Sequence, residues 1–358
     1  MKMRVKMRVL SVAFPFARVS ADPVGGAEQV LAQLDRHLVE QGHESVVVAP
    51  AGSSVRGRLM PLPAPAREWN EASCARQRAH ARNAIAQTLA QARFDLVHCH
   101  GLDFATYLPP PGVPLLVTLH LPLDWYADDA LRTVRPRTYL LPVSHAQCRD
   151  APSDLGLLPP LGNGVRDNPF AGRARKHDVA LALGRICPEK GFEDAVRAAQ
   201  RAGVGLHIAG ELFPWPAHVR YFNETLAPLL DDRRRLTGAI RGIRKQWWLA
   251  HARCVLITSR ARETSSLVAM EALAAGTPVI AYRSGAIPDL IEHGVTGFLV
   301  DDVDSMAEAI GRIDAIDPAV CLGTARERFQ LTGMLGAYLA LYAKLIAESR
   351  ADVARACA

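Results

Sequence analysis

From Arg8 onward the chain alternates short apolar runs with longer stretches of mixed polarity. Arg8–Phe14 (RVLSVAF) is too short for a helix and predicts a buried strand. A loop, PFARVSADPVGG, follows, and Ala27, Val30, Leu31, Leu34 and Leu38 then recur at helical spacing until Gly42 stops them. Ser45–Ala49, Asp95–His98, Pro114–Leu119 and Thr138–Val143 predict further strands, and residues 67–93 a polar helix. A second series starts at Val179. Strands are expected over Val179–Leu183, Leu206–Ala209, Arg235–Ile240, Cys254–Ile257 and Val279–Tyr282. Helices are expected over Phe192–Ala202, Ala217–Leu230, Lys245–Ala252 and Met306–Ile313, and between Ser265 and Gly276. A last helical stretch, Gly333–Ala354, carries Leu335, Tyr338, Leu339, Leu341, Tyr342 and Leu345. Strands alternating with helices predict an α/β chain with parallel sheets. The polar run Arg166–His177 separates the two series and reads as a linker. The expected domains are therefore 1–167 and 168–332, with 333–358 as a closing helix that packs back across them.

A length of 358 residues suits two domains better than one core, and 49% hydrophobic with 22% charged residues is ordinary for a globular protein. No apolar run approaches the roughly 18 residues of a membrane span, and the N-terminus lacks a long apolar segment, so a cytoplasmic protein is expected, with the inner face of the membrane as the alternative place within that compartment. The opening MKMRVKMRVL repeats KMRV, and only the second copy is needed for the first strand. Seven cysteines (Cys74, Cys99, Cys148, Cys187, Cys254, Cys321, Cys357) never form a C-x-x-C pair, which points to reduced thiols rather than disulfides or zinc. The net charge of +6 favours anionic ligands without demanding nucleic acid. Arg67, Arg76, Arg78, Arg82 and Arg93 offer a basic face to a membrane surface or acidic partner, although a solvated face is the simpler reading. A second basic cluster, Arg233–Arg235 with Arg241, Arg244, Lys245, Trp247 and Trp248, straddles a strand and a helix start, so no nucleic acid is expected. Asp302-Val303-Asp304 precedes a helix, where Asp304 or Ser305 serves as N-cap, and no metal site is expected.

The chemistry concentrates in Ser259–Val279, SRARETSSLVAMEALAAGTPV. Ser265 or Ser266 caps a helix that is apolar on nearly every face, and Gly276 ends it. Glu271 lies inside that apolar run and requires a partner. Glu263 lies just before the helix, whose N-terminus offers free N–H groups to an anion such as phosphate. Arg185 and Lys190 share one strand-to-helix loop flanked by Gly184 and Gly191, a spacing that can bracket a diphosphate. Gly25 and Gly26 precede the first helix and offer a second phosphate approach, though the motif is neither G-x-G-x-x-G nor a P-loop. His100, His120, Ser144 and His145 close or follow strands of the first series, where open α/β sheets bind ligands; His120 is the strongest of the histidines.

GRICPEKG, followed by ETSSLVAMEALAAGTPV and then GAIPDLIEHGVTGFLV, resembles the retaining, nucleotide-sugar-dependent glycosyltransferases of the GT-B fold, family 4 (glycosyl transferases group 1). The resemblance spans nearly the whole chain. It implies two Rossmann-like parallel-sheet domains facing across a cleft, acceptor-binding first and donor-binding second. It further implies that Arg185 and Lys190 hold the donor diphosphate, Glu263 the sugar hydroxyls and Glu271 the ribose hydroxyls. The backbone of Ser265, Ser266 and Leu267 would lie near the sugar and distal phosphate. Gly25 and Gly26 would approach the diphosphate, Gly184 and Gly210 would line the donor site, and Ile240, within Ala239–Arg241, would border the base. His120 matches the family histidine near the reacting centre, and Asn163-Gly164-Val165 the turn before the hinge; His100, Ser144 and Asn163 are acceptor-side candidates. The family usually has an aromatic residue and a glycine where this chain has Ser265 and Ser266, which alters the expected sugar pocket. The implied donor is a UDP- or GDP-sugar, the acceptor a carbohydrate, lipid-linked or small molecule, and no cofactor or metal is required. A nucleotide-sugar epimerase of the same architecture and a non-catalytic nucleotide- or sugar-binding protein are the alternatives. A nicotinamide dehydrogenase lacks its G-x-G-x-x-G here.

Overall fold

The computed structural model describes residues 6–20, 23, 25–66 and 68–356, with 353, 354 and 356 as backbone only. The first KMRV copy, Arg67 and Cys357 lie outside the described residues. The chain forms two units, one ending at Leu161 and regaining the chain from Met334, the other Gly162–Gly333. The expected boundary at 167 therefore falls inside the second unit.

In the first unit the elements run β1 (Arg8–Val12), α1 (Gly26–Glu40), β2 (Glu44–Pro50), β3 (Arg58–Leu62), α2 (Glu71–Gln91), β4 (Leu96–Cys99), β5 (Leu115–Leu119), α3 (Asp128–Leu131), β6 (Thr138–Pro142) and α4 (His145–Arg149). The sheet order is β3-β2-β1-β4-β5-β6, with every described pairing parallel. Burial on both faces explains why β1, β2, β4 and β5 read as continuous apolar runs rather than alternating ones. The sequence pattern missed β3, which contains Pro61. A proline is tolerated there because β3 is an edge strand. Arg78 pairs with Asp103 at 2.7 Å and Arg82 donates to the Thr106 carbonyl at 2.8 Å, so two arginines of α2 are docked on the neighbouring loop.

The second unit runs β7 (Val179–Leu183), α5 (Phe192–Arg201), β8 (Gly205–Ala209), α6 (Pro216–Tyr221), β9 (Arg234–Leu236), α7 (Gly242–His251), β10 (Val255–Ile257), α8 (Leu267–Ala274), β11 (Val279–Tyr282), α9 (Ile287–Leu290), β12 (Gly297–Val300), α10 (Val303–Arg312) and α11 (Pro318–Arg328). Its sheet order is β12-β11-β10-β7-β8-β9, again parallel. The helix expected over Ala217–Leu230 is shorter. It ends at Tyr221 and continues as a wide π turn (Phe222–Leu226) and a 3-10 turn holding Pro228, which has no N–H to extend the helix. β9 ends at Leu236, short of the expected Ile240. The N-cap of α10 is Asp302, not Asp304 or Ser305: its carboxylate accepts from Ser305 N–H at 2.8 Å while Ser305 returns a bond to the cap backbone.

α12 (Leu331–Ala356) passes from the second unit into the first, where it is held through β4, β5 and β6. Tyr342 Oη lies 2.7 Å from His98 Nδ1 and Tyr338 Oη 3.3 Å from Thr118 Oγ1. Arg350 pairs with Asp95 at 2.7 Å, and Arg137 donates to Ser349 at 2.7 Å. Among the described residues, no helix is long and apolar enough to cross a membrane.

Candidate functional site

In the second sheet, chain progression reverses between β7 and β10, and open α/β sheets bind ligands at the strand carboxyl ends beside such a reversal. The loop after β7 is set by Gly191, in the left-handed region at φ +58°. A Cβ there would lie 2.6 Å from the Thr258 carbonyl oxygen, so a larger residue would force the two loops apart. Thr258 Oγ1 donates to the Lys190 carbonyl at 2.8 Å, and Arg260 N–H donates to the Glu189 carbonyl at 2.9 Å. With the backbones fastened, Lys190 Nζ reaches Glu263 Oε1 at 2.5 Å and Ser259 Oγ at 3.3 Å. The Ser259 hydroxyl donates to the same carboxylate. Burial pushes the Glu263 carboxyl up, but the Lys190 charge and the bonds from Lys190 and Ser259 outweigh it, and the group ends below its usual range.

Glu263 is also held from β11. Ala286 N–H donates to the Glu263 carbonyl at 2.7 Å, and Ser284 Oγ donates to the Ala261 carbonyl at 2.7 Å. Gly285 has φ +53°, and a Cβ on it would stand 2.2 Å from the Glu263 carbonyl oxygen. The sequence reading missed Gly285. A glycine in a loop directly after a predicted strand was the available signal.

Beside Glu263, Ser266 is the N-cap of α8, its Oγ accepting from Ala269 N–H at 3.4 Å. Ser265 Oγ is buried without a hydrogen-bond partner, and Leu267 opens the helix. Lys190, Ser259, Glu263 and Ser266 line one small cavity with Leu183 and Phe192. Glu271 is ion-paired to Lys245 of α7 at 2.8 Å, both side chains being mostly buried. The carboxylate has the partner its apolar helix requires, and that partner was not singled out in the sequence, where Lys245 read as one member of a basic cluster. Trp247 stacks on His251 and Trp248 packs on His207, so both tryptophans serve the packing of α7.

Arg185 is half-buried on the β7 loop, and among the described residues its guanidinium forms no ion pair. Gly184 and Gly210 belong together: a Cβ on Gly210 would lie 1.7 Å from the Gly184 carbonyl oxygen. Ile240, 8% exposed, lies beyond β9 and just before Arg241, the N-cap of α7. Asn163 falls in the second unit, with its Oδ1 buried and unpartnered.

The remaining candidates lie in the first unit. Gly25 is the N-cap of α1 and Gly26 its first residue; no side chain caps the helix. A Cβ on Gly25 would meet Glu28 Oε2 at 1.8 Å. Ser144 caps α4 by accepting from Gln147 N–H at 3.1 Å, so its hydroxyl serves the helix. His100 Nδ1 and His120 Nε2 are 3.0 Å apart with their rings stacked, and His98 lies 4.0 Å from His100, centroid to centroid. One of the two nitrogens in the His100–His120 bond carries the proton. His100 Nε2 is buried without a partner. An orphaned lone pair costs less than an orphaned N–H, which favours His100 Nδ1–H donating to His120 Nε2. His120 then carries its own proton on Nδ1. Burial keeps both rings neutral, holding His100 well below its usual value and His120 at about 3.

Two units of six parallel strands, each carrying its polar groups at strand carboxyl ends, define a protein of paired Rossmann-like units. The family model described as Glycosyltransferase Family 4 matches residues 24–151, and that described as Glycosyl transferases group 1 matches residues 177–314. Together they cover more than half of the chain, and the chain belongs to the GT-B glycosyltransferases of family 4. It is 28% identical over 256 residues to the MMP α-(1→4)-mannosyltransferase of Mycolicibacterium hassiacum, covering 62% of each chain. It spans less than two thirds of the length of the curated relatives it matches. Among solved structures, AviGT4, a glycosyltransferase involved in avilamycin A biosynthesis, aligns with a TM-score of 0.70 at 24% identity, over 95% of this chain and 98% of that one. The Anabaena protein HepE in complex with UDP and glucose aligns at 0.72 and 18% identity, over 94% of this chain and 100% of that one.

Proposed function

We propose that the protein is a retaining glycosyltransferase that moves a sugar from a nucleoside-diphosphate sugar to an acceptor hydroxyl without a required metal. The observation that carries this reading is the Lys190–Glu263 pair beside the capped start of α8, at the point where the sheet order reverses. Arg185 and Lys190 supply fixed positive charge to a diphosphate, and the N–H groups at the start of α8 add the positive end of a helix. These groups act hardest on the leaving diphosphate, whose negative charge grows as the bond to the anomeric carbon breaks. Glu263 accepts from sugar hydroxyls, and Ser266 lines the same cavity. Glu271, held by Lys245, accepts from the ribose hydroxyls.

The acceptor oxygen attacks the anomeric carbon on the face the diphosphate leaves, so configuration is retained. The bond from carbon to the phosphate oxygen breaks, the bond from carbon to the acceptor oxygen forms, and the acceptor proton passes to a diphosphate oxygen. Within the first unit, His120 is the candidate neutral hydrogen-bond donor, its ring kept uncharged by burial. HepE, of the same fold, has been seen with UDP and glucose, which makes UDP-sugars the first donors to test and GDP-sugars the second.

The test is thermal unfolding of the protein with a panel of nucleotide sugars, followed by release of nucleoside diphosphate in the presence of a chelator. One donor is expected to raise the melting temperature by mass action, and release is expected to require an acceptor. Turnover of the donor to an epimer without release, or binding with no turnover under any acceptor, overturns the reading.

A further inference from the structure

We propose that Cys187, Glu189 and His218 form a binding site for a borderline-soft divalent cation of the Zn²⁺ type. One ligand atom from each, the thiol sulfur, a carboxylate oxygen and a ring nitrogen, lies within 4.8 Å of the other two. Tetrahedral zinc with bonds of about 2.0–2.3 Å places neighbouring ligands roughly 3.3–3.8 Å apart, so side-chain rotation of an ångström or so closes the set. Cys187 is 1% exposed. His218 Nδ1 is buried and has no hydrogen-bond partner, an uncommon state for a ring nitrogen and one that a metal ion would resolve. Thiolate with imidazole selects zinc-like ions over magnesium or calcium, which take all-oxygen sets. Three protein ligands leave a fourth position for water.

The charged neighbours of the cluster are the cations Arg185 and Lys190, so a filled site has to be near neutral. Thiolate and carboxylate together neutralise a divalent ion, so the loaded site adds no net charge beside the Arg185 guanidinium. Cys187 and Glu189 flank Pro188, whose fixed φ stiffens the loop, and His218 comes from α6. A bound ion would thus fasten α6 to the loop that carries Arg185 and Lys190. The inference does not rest on the glycosyl-transfer reading.

The test uses the metal-stripped full chain and Zn²⁺ alone, titrated calorimetrically. One ion per chain is expected. Losing an outer-sphere partner costs metal affinity about 10- to 100-fold, so Cys187→Ser and His218→Ala should each weaken binding on the order of a hundredfold or more. Co²⁺ in place of Zn²⁺ should give a thiolate-to-metal charge-transfer band that Cys187→Ser abolishes. Metal-free melting temperatures report whether each variant folds; should Cys187→Ser not fold, His218→Ala and the cobalt band of the unaltered chain decide. Absence of saturable binding, equal affinity in His218→Ala, or a cobalt complex without the thiolate band each overturns the proposal.

Discussion

Lys190 Nζ and Glu263 Oε1 stand 2.5 Å apart although they come from different strand-end loops, and the Glu263 side chain is only 13% exposed. A carboxylate so enclosed is stable as an anion only while its cation is present. Lys190→Met should therefore lose roughly 3 kcal/mol by urea unfolding, the order of cost for stranding a buried charge. Adding Glu263→Gln should return most of that loss. Transfer should behave differently: each single variant should lower kcat by about 10²–10³-fold, and the double variant should not recover it. Lys190→Met with unchanged stability would show that the pair carries no weight in the fold.

Glu271 sits more than a turn into α8 from its Ser266 cap and is paired with Lys245 of α7, and under the proposed reading its contribution should be to binding. Glu271→Gln and Lys245→Met should each weaken UDP binding, and raise the donor KM, by about 10- to 100-fold, as expected for lost hydrogen bonds to a charged group. The kcat should fall much less, since ribose contacts are made equally in ground and transition states. Calorimetry with UDP alone checks this. A fall in kcat with KM unchanged would move Glu271 into the reacting centre.

His98, His100 and His120 are all held below the usual histidine value, chiefly by burial, with neighbouring rings adding to the shift for His98 and His100. In the unfolded chain each takes a proton near pH 6.5; in the folded chain His120 waits until about 3. Between these values the unfolded state binds more protons, so stability rises with pH there. Stability from the three rings is thus complete above about pH 6.5 and is lost as pH falls toward 3. Urea midpoints should drop between pH 7.5 and 5, and His120→Asn should reduce the slope by about one proton. A flat profile would mean that these rings are charged or solvated in the fold.

Much of this architecture is written in apolar runs. Strands buried on both faces announce themselves, and Gly276, at φ +70°, ends α8 where the pattern ended it. Polar residues that are buried and bonded leave no such trace. Arg166–His177 reads as a solvated linker, yet Asn168 donates to the Gln246 carbonyl at 2.8 Å and Lys176 to the Ala250 carbonyl at 2.8 Å. Burial lowers Lys176 to about 8, far from the behaviour of a surface cation. The alternation in His98-Cys99-His100 places two rings on one side, but the tie of His98 to Tyr342 joins positions 244 residues apart, which no local pattern contains. Lys245 was similarly hidden, because charge alone does not say which of several cations faces inward.

Gly285 tests whether the position of Glu263, rather than its charge, governs transfer. Its φ of +53° and the 2.2 Å approach of a built Cβ to the Glu263 carbonyl oxygen mean that Gly285→Ala must displace the Glu263 backbone. The left-handed conformation alone costs alanine about 1–2 kcal/mol, so lost stability by itself would prove nothing. Gly294 provides the control, with φ +79° and nothing within 4 Å of its built Cβ. Gly294→Ala carries the same backbone cost without a clash and should keep its turnover. Gly285→Ala should lose on the order of 10²-fold in kcat, the effect of misplacing a catalytic contact by about an ångström. Its UDP affinity should remain, because Glu271 and Lys245 are untouched. Equal turnover in the two variants would show that the β11 loop does not set the position on which Glu263 depends.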